Sequence, residues 1–230
     1  MADDCTTLFN KFTGNTSELA PKIVFVVSAK TATDREQEQQ NGISAYEINK
    51  GHIAKAIGYT NIISERESFT SSTSFTNSLE AGLTEKDIRH LVLVGHGAQD
   101  AFLLGQEVLK YDINDGKFHF LKETPDSSKG FTYKETGIDA EKFIKEKLNA
   151  PISKDHSSLI FIACGTNREF SPNMLSHLSN LMPNKTIIGF TDPVEIEEGT
   201  DINSKNNFTC KSLEELTRTS CVNGNCTTSK

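Results

Sequence analysis

Long apolar runs are missing from this 230-residue chain. Runs such as IVFVV at 23–27 have the length of a strand and fall far short of the ~18 residues that cross a bilayer. Basic charge is also in short supply: 24 Lys+Arg face 31 Asp+Glu, a net charge of −7. A general nucleic-acid binder needs a basic surface to neutralise phosphates, so this balance argues against a nucleic-acid partner. Five cysteines, scattered and odd in number, do not make a disulfide scaffold. No CxxC pair or HExxH motif occurs, so zinc has no ligands at its usual spacing. The opening MADDCTTLFNKF lacks a basic stretch followed by an apolar one, the pattern of a secretory signal. The expected location is therefore the cytoplasm, or export without a cleavable signal peptide. No internal repeat is visible, and the length suits one domain of generous size, or one plus an appendage.

What is present is a rhythm. Five short apolar bursts lie at 23–27, 61–63, 91–94, 159–162 and 186–190. They are β-branched or aromatic and do not alternate with polar residues, which is how strands buried on both faces read. Helical patterns fall between them. Ile43, Tyr46, Ile53 and Ile57 keep one face, with Gly58 as a stop. Leu79 and Leu83 suggest a shorter helix. Asp139 caps a pattern carrying Phe143, Ile144 and Leu148. Ser171-Pro172 is an N-cap with proline at the first helical position, ahead of Leu175, Leu178 and Leu181. Strand and helix in alternation predict a parallel sheet with helices on both faces.

One stretch interrupts this order. VLKYDI at 108–113, Asn114-Asp115-Gly116 and KFHFL at 117–121 read as a β-hairpin. Residues 122–137 and the Ser/Thr-rich residues 65–78 read as exposed loops. Ser212-Leu213-Glu214-Glu215 is a capping box for a short helix. Residues 221–226 read as flexible.

Two strand ends carry chemistry. LVLV at 91–94 runs into Gly95-His96-Gly97-Ala98, and LIFI at 159–162 runs into Ala163-Cys164-Gly165-Thr166. Ligands of open α/β sheets bind beyond the carboxyl ends of the strands. If these two strands are neighbours, their ends lie about 5 Å apart and a His and a Cys share one crevice. A thiolate beside an imidazole is what nucleophilic catalysis requires. A residue without Cβ lets a substrate backbone approach, and the Gly97 and Cys164 N–H groups are the donors available for a developing oxyanion. A lone Cys or His at a strand end is more often structural; both together, each followed by Gly, favour the functional reading. His52, His90, His119, His156 and His177 read as surface or packing residues. Cys5, Cys210, Cys221 and Cys226 read as ordinary exposed thiols, with a Cys221–Cys226 disulfide only in an oxidising compartment.

The blocks LVLVGHGA (91–98) and LIFIACGT (159–166) resemble those of the caspase-like, clan CD cysteine peptidases. IVFVVSA at 23–29, the hairpin after the His strand and TIIGFTDPV at 186–194 all fall where that fold has elements. The resemblance covers roughly residues 20–195. It implies an α/β caspase-like (caspase-hemoglobinase) sandwich: a mostly parallel central sheet of five to six strands, flanked by helices, with a β-hairpin insertion. The expected organisation is an N-terminal extension at 1–20, a peptidase domain at 21–195 and a polar C-terminal segment at 196–230. His96 is implied as general base or acid and Cys164 as nucleophile, with the Gly97 and Cys164 amides as oxyanion hole. The implied reaction is peptide-bond hydrolysis through a thioester, with no cofactor and no metal, on a protein or peptide substrate. Self-processing or action as a secreted effector fits that chemistry. In this fold the segment after the last core strand helps to shape the primary pocket. Asp192 and Glu195 there would favour Lys or Arg in the substrate; the plainer reading is a solvated acidic loop.

Other cysteine and hydrolase sites fit less well. A phosphatase loop of the form Cys-x5-Arg needs Arg at 170, where Phe170 stands. No G-x-S-x-G follows a strand. Amidotransferase-like enzymes place Cys before His, the reverse of the order here. The residues after the first strand are Ser28-Ala29-Lys30-Thr31, not a dinucleotide-binding GxGxxG. A non-catalytic caspase-like module that binds proteins is the alternative, and a thioester resolved by an amine would make an acyl transferase.

Overall fold

The computed structural model describes residue 8 and residues 11–14, 22–27, 62–64, 72–73, 76–77, 88–104, 107–126, 128, 130–149, 152, 157–164, 171–190 and 213–230. The expected helices around 43–57 and 79–83 lie outside these residues. Four of the five apolar bursts form strands as read: β1 (Lys22–Val27), the core of β3 (Ile88–Ala98), β8 (Ser158–Cys164) and β9 (Thr186–Phe190). The burst at 61–63 falls on β2 (Ile62–Ser64). These five pair in parallel, in the order β2-β1-β3-β8-β9.

The sheet is burial-driven on both faces. Leu91, Leu159, Ile187 and Cys221 stand in register across four strands and belong to one buried cluster. Val92, Ile160 and Ile188 alternate with that row and are also fully buried. Two helices cover the first row. Asp139 caps α1 (Ala140–Phe143) by accepting the Lys142 N–H, and the helix runs on into a wider π-helical turn at Ile144–Asn149. Ser171 caps α2 (Pro172–Leu181) by accepting the Met174 N–H, with Pro172 at the first position. Met174, Leu175 and Leu178 of α2 are fully buried against the sheet.

The architecture departs from the expected sandwich in two ways. First, β10 (Arg218–Val222) joins the central sheet antiparallel to β9, and β11 (Asn225–Ser229) adds to it antiparallel to β10. The segment read as flexible is thus a hairpin turning at Asn223-Gly224, with φ of +48° and +80°. Asn-Gly is the pair that adopts such a turn most readily. Cys221 and Cys226 are register partners in it and form the disulfide that stood as the alternative to free exposed thiols. Second, the hairpin insertion is a four-stranded antiparallel meander that makes a second sheet: β4 (Ala101–Leu104), β5 (Glu107–Asp112), β6 (Lys117–Asp126) and β7 (Gly130–Glu135). The expected loop at 122–137 is largely strand. Among the described residues, β6 beyond Lys122 pairs with β7 alone, so Pro125 sits where one side of the strand needs no donor.

The other expected loop, 65–78, contains helical turns at 72–73 and 76–77. Ser72 is buried, and its N–H donates to the Glu107 carboxylate at 2.7 Å. In the capping-box region, residues 213–214 are helical. Near the N-terminus, the Phe12 ring packs edge-on to Phe190 at 6.2 Å and lies under the Arg218 guanidinium at 4.3 Å. Partial burial there holds the Arg218 pKa below its usual value, with the Glu214 carboxylate opposing that shift. Among the described residues no helix is long and apolar enough to cross a membrane.

Candidate active site

The meander grows directly out of the strand that carries the histidine. β3 pairs with β8 from His90 to His96, and then its last two residues pair with β4, Gly97 with Phe102 and Ala98 with Ala101. A two-residue turn, Gln99-Asp100, reverses the chain. Phe102 is fully buried and packs T-shaped on Phe161 of β8, ring centroids 5.3 Å apart. An aromatic contact of this kind contributes about 0.5–1.5 kcal/mol beyond the area it buries. It seats β4, whose Phe102 is the register partner of Gly97, on the central sheet.

The β3–β8 ladder runs without a bulge, with a constant offset of 68 residues. At its amino end His90 pairs with Ser158. Both are fully buried, and His90 Nδ1 lies 2.5 Å from Ser158 Oγ. At its carboxyl end the last registered pair is His96 with Cys164. Register partners on neighbouring strands lie about 4.8 Å apart along the hydrogen-bond direction. The two residues nominated from the sequence therefore occupy the same rung of the sheet, at the end where open α/β sheets hold their ligands. Gly97, one residue on, is half-buried. Asp192 and Glu195 lie outside the described residues, as do Cys5, Cys210, His52 and His156.

The remaining described histidines have other duties. His119 is bracketed by Asp115 at 2.8 Å and Glu135 at 3.0 Å on an exposed part of the meander. His177 of α2 lies 2.9 Å from Glu141 and against the rings of Tyr111 and Phe118, joining helix to meander. Among the described residues no cluster of three or more His, Cys, Asp or Glu side chains is arranged to hold a metal ion.

Sequence reasoning passed over Asp100. It is 7% exposed, and its carboxylate accepts the Ser171 N–H at 2.9 Å, at the start of α2. The only sequence signal was a polar Gln-Asp pair between apolar residues, a turn mark without further meaning. No family model, curated protein or solved structure matches this chain.

Proposed function

We propose that the chain is a cysteine endopeptidase acting through a His96–Cys164 dyad. The observation that supports this reading is the last rung of the β3–β8 ladder, which pairs those two residues at the carboxyl edge of the parallel sheet. In the proposed reaction the Cys164 thiol has already passed its proton to the His96 imidazole, and the thiolate attacks the scissile carbonyl carbon. The Gly97 and Cys164 N–H groups stabilise the oxyanion. His96 returns the proton to the departing amine nitrogen, which leaves a thioester. Water, deprotonated by His96, then releases the carboxylate product and the thiol. The substrate is a protein or peptide, and no cofactor takes part in these steps.

The test is intact-protein mass spectrometry after exposure to peptidyl acyloxymethyl ketones bearing Lys, Arg, Asp, Asn or Leu at P1. The expected result is one adduct on Cys164, absent from folded Cys164→Ala and His96→Ala variants. Lys and Arg probes reacting first would support a pocket shaped by Asp192 and Glu195. A folded protein that takes no adduct from any probe would contradict the peptidase reading and favour a protein-binding module.

A further inference from the structure

The β3–β8 ladder, as far as the described residues go, ends at the pair His96 and Cys164. Asp100, four residues beyond His96, has a φ of +55°, in the left-handed region that Asp and Asn tolerate better than most residues. A buried carboxylate is costly unless it is paired. Asp100 Oδ1 accepts the Ser171 N–H at 2.9 Å, and its carbonyl oxygen accepts the Tyr111 N–H at 2.7 Å from β5. Ser171 is the N-cap of α2, on the chain that leaves Cys164. The partly positive start of a helix strengthens a hydrogen bond to a carboxylate. Asp100 thus ties the turn beyond the histidine strand to the start of α2 through its side chain, and to the meander through its backbone carbonyl.

On the peptidase reading above, we propose that Asp100 is a positioning residue for the dyad: its bond to Ser171 holds the start of α2 against the turn beyond His96, and through it sets the approach of His96 to Cys164. Backbone in a strained region is held in place only where the surroundings over-determine it, and such residues gather at functional sites. Asp100, gripped by a turn, a strand and a helix cap, has that character. It touches no reacting atom in this role.

The experiment is the pH dependence of Cys164 alkylation by iodoacetamide in the full chain, read by peptide mass spectrometry. In a working dyad the imidazolium depresses the thiol pKa, so the inflection lies below the ordinary value of about 8.5, and His96→Ala returns it there. Asp100→Gly removes the carboxylate while glycine accepts the positive φ without strain. It should slow alkylation at neutral pH roughly tenfold to a hundredfold and move the inflection toward that of His96→Ala. Asp100→Asn keeps both the acceptor and the backbone preference, and should restore the rate to within about threefold of wild type. Ser171→Pro fits the local backbone, φ −67° and ψ 148°, but has no N–H to donate, and should reproduce the Asp100→Gly shift, whereas Ser171→Ala, which loses only the Oγ cap on Met174, should not. If Asp100→Gly does not fold, Ser171→Pro decides in the same terms. A folded Asp100→Gly or Ser171→Pro protein with the wild-type inflection overturns the positioning role and leaves the dyad standing. A wild-type inflection near that of a free thiol, unmoved by His96→Ala, overturns the dyad reading and the positioning role together.

Discussion

The contact between Phe102 and Phe161 joins the meander to the central sheet, and its strength can be measured. Both rings are fully buried, and they meet edge to face at 5.3 Å with an interplanar angle of 64°. Phe161→Leu and Phe102→Leu each shorten a buried side chain without opening a void as large as alanine would. Each should cost about 1–2 kcal/mol, within the common range for core substitutions. For a chain of this length, that is a drop of roughly 2–8 °C in melting temperature. The ring–ring attraction is lost in either single variant, so it is counted twice in their sum. The double variant should therefore be less destabilised than that sum by about 0.5–1.5 kcal/mol. The chain has no tryptophan, so far-UV circular dichroism in urea is the suitable readout. Additivity within about 0.3 kcal/mol would refute the reasoning, because the meander would then not be seated on β8 by this pair.

Further expectations concern the dyad, the C-terminal hairpin and one carboxylate. Cys164→Ala and His96→Ala should each abolish probe labelling while leaving the far-UV spectrum and melting temperature nearly unchanged; collapse of the fold in both would assign the two residues a structural role. Reducing the Cys221–Cys226 disulfide, which closes a loop of sequence separation 5, should lower stability by about 2 kcal/mol on the chain-entropy account. Identical melting curves with and without reductant would contradict that. Asp112 accepts the backbone N–H and then the side-chain amide of Asn114, both at 2.8 Å, and these bonds hold its carboxyl below the usual value. Its folded pKa is thus the lower one, so its small contribution is present above the unfolded pKa and is lost as pH falls through the folded pKa. An NMR titration should place the Asp112 inflection lower in the folded protein than in a peptide of residues 108–121, and equal values would refute it.

Much of the central sheet was legible because strands buried on both faces are apolar over most of their length. Leu91, Val92, Ile160 and Phe161 have no polar alternates to confuse the reading. The helix starts at Asp139 and Ser171 were legible because a cap needs a short side-chain acceptor ahead of the first turn, and both supply one. What escaped was strand structure with one wet face. In β7, Tyr133 is 53% exposed between polar neighbours, and a loop has the same composition. In β10 and β11 the buried positions are Thr219 and Cys221, which do not read as a core; register and a disulfide hold that hairpin. The pair His96 and Cys164 was legible as two similar strand ends, but nothing local says which strands are neighbours. His90 and Ser158 share the same offset and make the register visible at the other end of the ladder. Asp100 was hidden because its partner, Ser171, lies 71 residues away.

The account stands or falls on positions 96 and 164 sharing one rung, and that can be tested without any substrate. His96→Cys places a second thiol there, within the Cα separation that a disulfide bridges. Mild oxidation of the folded variant, followed by digestion and mass spectrometry, should join residue 96 to Cys164, with no such link when Cys164→Ala is added. Failure to form the link in a folded protein, with both thiols accessible to alkylation, would contradict the register and with it the dyad.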